Sequence, residues 1–306
     1  MGAGGQGGLF GSLLSQAGND VTIIARGRNL EAIQKKGLKL RSKIFGDVTV
    51  QVGATDNPEA VGEVDLILFC VKNYDLDTAA EHINPMIGAE TIVLTVQNGV
   101  EAPYRIGDAI GLEHVVAGVS GINSHLVAPG EVQHIVGERF VFGELSGIVS
   151  SRVEKLEKAF REAGLDALAS DDIKGELWSK LTWLSTITGV ICLTRSSIGI
   201  IRDHEETWEL LRRVLVEIAS VARAEGVVIS EDSIDAWLDM FSRMPPDAKP
   251  SMMVDLEAGR RIELDTLIGA VVRFGKKHGL DTPYNYAIYS ALKPYQNGTP
   301  TPKAHN

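Results

Sequence analysis

Gly2-Ala3-Gly4-Gly5-Gln6-Gly7 gives the chain a G-x-G-x-x-G spacing at its second residue. That spacing belongs to the tight turn between a first β-strand and a helix, where backbone N–H groups and the helix N-terminus hold a dinucleotide pyrophosphate. Gly2 permits the turn, Gly4 lets a phosphate approach the backbone, and Gly7 lets the helix pack closely on the sheet. Gly5 and Gln6 complete the candidate cofactor-binding turn. Downstream, Leu9, Phe10, Leu13, Leu14 and Ala17 recur at helical spacing, and Gly18-Asn19 ends the helix. VTIIA at 21–25 reads as the next strand. A Rossmann unit also needs a buried strand ahead of its first glycine, and only Met1 stands there. Either about five apolar residues lie upstream of a misassigned start, or the chain is cut at the centre of its sheet; the first is the expectation, because losing a central strand strips both ladder hydrogen bonds and core area.

The bulk composition fits two domains with real cores. The chain has 306 residues, 44% hydrophobic and 23% charged, with a formal net charge of −10. That acidic balance argues against nucleic acid or an anionic membrane as partner. Cys70 and Cys192 both sit in apolar runs and read as packing residues in a reducing compartment. The seven histidines show no ligand-like spacing, so no metal is expected. No apolar run approaches the roughly 20 residues of a membrane span, and the N-terminus lacks the basic start of a signal peptide. A cytoplasmic location follows as the expectation.

From 21 to 145 the text alternates strands with helices or turns, the pattern of an α/β domain. VDLILFCV at 64–71 and TIVLTV at 91–96 are nearly unbroken apolar runs, as strands buried on both faces of a parallel sheet should be. Further β-rich text covers 115–119, 130–136 and 140–143. Residues 151–163 form an amphipathic helix, and 165–169 ends the first domain. From 171 the chain turns helical, over 172–194, 204–226, 230–241 and 264–278, and the last dozen residues read as a loose tail. The expected architecture is a Rossmann-like dinucleotide-binding domain over 1–170 and an all-helical domain over 171–306.

Ligands of open α/β sheets sit at the carboxyl ends of strands. Lys72 follows the run at 64–71 and Asn98 follows that at 91–96, which puts both where a nicotinamide would reach; a surface lysine and a plain Asn-Gly turn are the alternatives. After the second strand an NAD site places an acid, whereas arginine accommodates a 2′-phosphate. ARGR at 25–28 carries no acid, and Asp20 precedes the strand. Arg26, assisted by Arg28, therefore favours NADPH over NADH, unless both are ordinary solvated arginines.

The helical half contains one electrostatic anomaly. LWSKLTWLSTITGVICLT at 177–194 has a single charge, Lys180. That lysine either snorkels outward and pairs with Glu176, or is a partly desolvated ammonium whose lowered pKa makes it a proton donor near neutral pH. Leu184 and Thr188 share its helical face. Further on, Ser251 and Asp255 share a face, Gly259 breaks their helix, and Glu263 precedes another apolar-periodic segment. An acidic first turn with Asp265 as cap explains the same text.

The order of these motifs resembles the ketopantoate reductase (2-dehydropantoate 2-reductase) family over residues 2–293. The matching pieces are GAGGQGGLFG, VTIIARG, FCVKNYD, VQNGVE, APGEVQH, ELWSKL, SMMVDLEAGRRIELDTLIGAVVRFGKKHG and TPYN. The resemblance implies NADPH-dependent reduction of a 2-oxo acid to a 2-hydroxy acid, 2-dehydropantoate to pantoate, in pantothenate synthesis. It implies Lys180 as proton donor and Glu263 as its partner and a substrate ligand. It also implies Asn98 and Lys72 as cofactor and substrate contacts at the nicotinamide end, Ser251 on the substrate carboxylate with Asp255 beside it, and Arg26 at the 2′-phosphate. The implied partner is a small-molecule 2-oxo acid, with a homodimer as candidate assembly.

The chain departs from the family at two places. The helix after the lysine commonly carries two asparagines that line the substrate pocket, and they align with Leu184 and Thr188. Losing such a donor costs up to about 10⁴-fold in discrimination where a buried partner is left unpaired. A reductase of a different branched 2-oxo acid is thus the rival within the class, and a non-catalytic NADP-binding sensor the rival outside it. A related 3-hydroxy acid or hydroxymethyl dehydrogenase shares the two-domain plan but not the late Ser-Asp-Glu spacing.

Overall fold

A computed structural model describes residues 1–300. The chain divides into two compact units, Met1–Gln97 with Glu101–Glu176, and Asn98–Val100 with the chain from Leu177 onward. The first unit is α/β with mixed sheets, and the second is helical.

In order, the first unit contains α1 (Gly5–Gln16), β1 (Thr22–Ile24), α2 (Gly27–Lys36), β2 (Leu38–Arg41), β3 (Val48–Val50), β4 (Gly53–Thr55), β5 (Leu66–Phe69), α3 (Leu76–His82), β6 (Ile92–Thr95) and α4 (Ala102–Ile110). It continues through β7 (Val115–Ser120), β8 (Asn123–Ala128), β9 (Glu131–Val136), β10 (Arg139–Gly143), α5 (Ser151–Glu162) and β11 (Asp166–Ala169). The two long apolar runs shorten to β5 and β6, which pair in parallel with each other, and β6 pairs in parallel with β7. With antiparallel β10 and then β11 they form one five-stranded sheet. Leu76, Ala80, Ile83 and Ile106 cover Phe69 and Val93 on one side. On the other, Phe10 of α1 packs on Phe140, ring centroids 4.8 Å apart, and Phe160 of α5 meets Phe140 edge-on at 5.1 Å. The Ser150 hydroxyl caps α5 by accepting from Val153 N–H.

A single alternating sheet is not what forms. β1 pairs only with β4, and β2, β3, β8 and β9 make a separate four-stranded sheet. β8, unrecognised in the sequence, lacks the burial alternation of a strand because nearly all its side chains are exposed. Between β1 and β5 lie Met1 and Gly2. The Met1 ammonium donates to the Leu68 carbonyl (2.7 Å), the Met1 carbonyl accepts from Cys70 N–H (2.8 Å), and Gly2 N–H donates to the Ile24 carbonyl (3.2 Å). These two residues hold the position of the strand expected ahead of the glycine turn, and among the described residues no strand lies there.

The helical unit is built from α6 (Ile173–Thr194), whose first turn belongs to the first unit, α7 (Ile198–Asp203), α8 (Glu205–Ala224), α9 (Glu231–Arg243), α10 (Ser251–Glu257), α11 (Ile268–Lys277) and α12 (Pro283–Leu292). α8 is its spine, burying Leu211, Val214, Leu215, Ile218 and Ala222. α12 was not legible, because Tyr284, Tyr286 and Tyr289 are modest helix formers. Packing on α8 and α11 decides it, and Glu217 of α8 caps it by accepting from Tyr284 N–H (3.0 Å) and Asn285 N–H (2.9 Å). α11 starts at Ile268 rather than 264. The tail is not loose as far as it is described: Asn297 bridges Arg261, and Thr299 N–H reaches the Gly259 carbonyl at 3.4 Å. Residues 301–306 of that stretch lie outside the described residues. No helix among the described residues is long and apolar enough to cross a membrane.

Candidate active site

The glycine turn has the shape its spacing requires. Gly2 adopts φ +95, and a Cβ there would stand 2.9 Å from Val71 N. A Cβ on Gly7 would collide with the Gly2 carbonyl, while a Cβ on Gly4 would meet nothing within 4 Å. The turn is therefore packed from behind and open at Gly4. α1 begins at Gly5 with no acidic residue in its first turn. The N–H groups of Gly5, Gln6 and Gly7 have no intrahelical acceptor, and they add to the positive end of the helix dipole. These features fit a dinucleotide pyrophosphate.

Two side chains hold the turn. Gln6 donates from Nε2 to the Ile122 carbonyl (2.6 Å) and accepts at Oε1 from the Ser120 hydroxyl (2.8 Å). This leaves Gln6 its backbone N–H and the second Nε2 hydrogen for a phosphate. Asn29 of α2 donates to the Ala3 carbonyl (2.8 Å) and accepts from Gly130 N–H (2.7 Å). Sequence reasoning missed Asn29, whose only signal is a polar side chain one turn into α2.

Arg26 stands exposed at the N-cap of α2, directly after β1, with Arg28 beyond it. Lys72 is exposed after β5, and Asn73 beside it is buried. At the end of β6, Gln97 donates to the Phe69 (2.7 Å) and Val71 (3.1 Å) carbonyls, while its buried Oε1 has no partner in the structure. A buried amide oxygen left unpaired is costly and suits a ligand N–H.

In the helical unit, Lys180 is half-buried on α6. Burial lowers its pKa from 10.5 to about 8, and the Glu263 carboxylate opposes that fall. Glu263 is 9% exposed, in the turn between α10 and α11. Its carbonyl accepts from Leu267 N–H (3.3 Å) and the Thr266 hydroxyl (3.2 Å). Asn98 belongs to this unit by packing: Gly99 beside it approaches Thr266 so closely that a Cβ would lie 2.8 Å from the Thr266 carbonyl. Lys180, Glu263 and the Asn98 loop thus share one unit, in which an ammonium can hold or give up a proton close to neutral pH.

On α6, Leu184 is partly exposed and Thr188 fully buried. The Thr188 and Ser185 hydroxyls have no hydrogen-bond partner, whereas Thr182 and Thr186 bond back to the Trp178 and Thr182 carbonyls at 2.7 Å. Ser251 is exposed at the start of α10. The Asp255 carboxylate accepts from Arg260 at 2.9 and 2.8 Å. Gly2, Gly4 to Gly7, Arg26 and Lys72 lie in the α/β unit, and Asn98, Lys180, Leu184, Thr188, Ser251, Asp255 and Glu263 in the helical one. Both cysteines have raised pKa values, Cys70 to about 11 and Cys192 to about 12, chiefly through burial, so neither is a ready nucleophile.

Residues 1–147 match the ketopantoate reductase PanE/ApbA family, and residues 172–296 match its C-terminal domain. The chain belongs to the ketopantoate reductase family. A 2-dehydropantoate 2-reductase of Mesorhizobium japonicum is 32% identical over 96% of this chain and 95% of its own length. Among solved structures, a PanE/ApbA family ketopantoate reductase from Ralstonia eutropha JMP134 superposes with TM-score 0.90 at 32% identity, covering 97% of each chain. A D-mandelate dehydrogenase solved with NADH and anilino(oxo)acetate superposes at 0.88 with 25% identity, covering 96% of each. Ketopantoate reductase family membership makes this chain an oxidoreductase of the pyridine-nucleotide-dependent, oxo-acid-reducing type.

Proposed function

We propose that the protein reduces a 2-oxo acid to the 2-hydroxy acid with NADPH. The observation that carries this reading is Lys180, an ammonium brought down to about 8 by burial and opposed by Glu263 within the same unit. A bound nicotinamide dinucleotide supplies the hydride for the carbonyl carbon. Lys180 Nζ gives its proton to the carbonyl oxygen as that oxygen becomes a hydroxyl, and a pKa near 8 suits a general acid at neutral pH. Glu263 keeps that ammonium protonated and accepts hydrogen bonds from substrate hydroxyl groups. Ser251, with Asp255 near it, binds the substrate carboxylate, and Asn98 and Lys72 serve the nicotinamide end. The turn from Gly2 to Gly7 holds the pyrophosphate, and Arg26 the 2′-phosphate, which sets NADPH above NADH.

By its family, 2-dehydropantoate is the first substrate to test, and pantothenate synthesis the setting. A second reading has its own support: an aliphatic side chain at Leu184 and an unpaired, buried Thr188 hydroxyl stand where the resemblance expects two amides. This favours a bulkier or less hydroxylated 2-oxo acid. The deciding experiment follows NADPH and NADH oxidation against a panel of branched and aryl 2-oxo acids that includes ketopantoate. Oxidation by none of them, with NADPH bound tightly, would leave a cofactor-binding sensor as the better description.

A further inference from the structure

The turn that carries Glu263 is held on both sides by one short stretch of chain. On the near side, Ile262 N–H donates to the Gln296 carbonyl at 3.0 Å, and Arg261 forms an antiparallel bridge with Asn297. On the far side, the Asp265 carboxylate gathers three donors: Tyr289 hydroxyl (2.7 Å) and Lys293 Nζ (2.8 Å) on Oδ1, and Gln296 Nε2 on Oδ2. Gln296 thus bonds by its backbone to the residue before Glu263 and by its side chain to the residue two beyond it. Its neighbour Tyr295 carries the Arg195 guanidinium 5.0 Å above its ring, and Arg195 directly follows α6, the helix of Lys180. Arg195 is also the one non-glycine residue with positive φ (+55) among the described residues. The segment 293–299 therefore contacts the Glu263 turn and the end of the Lys180 helix.

Asp265 is not the helix cap that its position suggests. α11 begins three residues later with Leu267 at its N-cap and no side-chain cap bond. Burial opposes the ionisation of Asp265, yet the bonds from Lys293, Tyr289 and Gln296 outweigh it and hold the carboxyl below its ordinary value. Arg273 donates to the Asp265 carbonyl at 2.9 Å, so main chain and side chain are both fixed. A turn fixed at 262 and at 265 leaves little freedom at 263. The Coulomb effect of Glu263 on Lys180 depends on their separation, so that freedom matters.

We propose that Asp265, clamped by Gln296, is a positioning residue that fixes the Glu263 carboxylate relative to Lys180. The inference rests on the roles assigned to Lys180 and Glu263 above. The test compares Asp265→Asn, Gln296→Leu and Tyr289→Phe in the full chain with Lys180→Ala and Glu263→Gln. It reads kcat, KM for both substrates, the pH profile of kcat, and thermal unfolding. The groups that bear on the profile are Glu263 on Lys180, and Lys293, Tyr289 and Arg273 around Asp265.

We expect the Asp265 and Gln296 variants to lose about tenfold in kcat, short of the roughly hundredfold that a 1 Å misplacement can cost, with KM for NADPH nearly unchanged. The alkaline limb of kcat should move to lower pH, the direction in which Glu263→Gln moves it. Variants that lose stability but keep wild-type kcat and limb make the clamp purely structural and overturn the proposal. If Asp265→Asn does not fold, the half-buried Gln296 decides alone, and an unmoved limb in Gln296→Leu overturns it equally. Wild-type kcat in Lys180→Ala defeats the reading of the site itself, a separate result.

Discussion

The Glu263 carboxylate bears on Lys180 within the helical unit and partly offsets the burial that brings this ammonium down to about 8. Lys180→Ala should therefore lower kcat by about 10²–10⁴-fold while NADPH affinity stays nearly constant, the range for loss of a general acid. Stopped-flow or steady-state rates on the best substrate, set beside a cofactor titration, check this. A variant with near-wild-type kcat would move the proton donor elsewhere.

The same pKa makes a stability prediction. Lys180 in the folded chain loses its proton near pH 8, and in the unfolded chain near 10.5. Between these values the unfolded state binds more protons, so this group makes stability rise with pH across that window. Below pH 8 the buried charge costs about 3 kcal/mol. Lys180→Met should consequently be more stable than wild type at pH 7, with the gap closing toward pH 10.5. Urea unfolding at pH 7, 9 and 10.5 measures it, and a gap that does not narrow rejects the burial.

Arg26→Ala should weaken NADPH binding about ten- to a hundredfold and leave NADH binding unchanged, because a charge-assisted bond to phosphate contributes ~1.5–3 kcal/mol. Titration of wild type and variant with both cofactors decides the matter. Equal wild-type dissociation constants for NADPH and NADH would remove Arg26 from this role.

Leu184→Asn together with Thr188→Asn should raise kcat/KM for ketopantoate, because the amides supply donors for its hydroxyl and carboxylate groups. The wild type should prefer a less hydroxylated acid. If ketopantoate already exceeds every other acid tested in kcat/KM, this helix face is packing, and Ser185 becomes the next candidate for those bonds.

The glycine turn was legible because steric rules at Gly2 and Gly7 leave few residue choices, and β5 and β6 because burial on two faces writes an unbroken apolar run. Lys180 stood out as one charge in eighteen residues. β8 and α12 were not legible, since their own side chains do not carry the signal: β8 is exposed, and α12 is set by Glu217 and by packing on α8. Asp265 misled for a related reason. Its position next to a helix suggested a cap, but its three partners lie 24 to 31 residues away, a separation no local pattern encodes.

Asn29 holds the Ala3 carbonyl with one end of its amide and Gly130 N–H with the other. The β8–β9 turn and the glycine turn are therefore latched by a single side chain. Deuterium reaches the Gly130 amide only when that latch releases, so the exchange rate of this one proton becomes a clock for opening of the glycine turn. Nucleotide bound at Gly4 would slow the clock from the far side of the latch, without touching Gly130 itself.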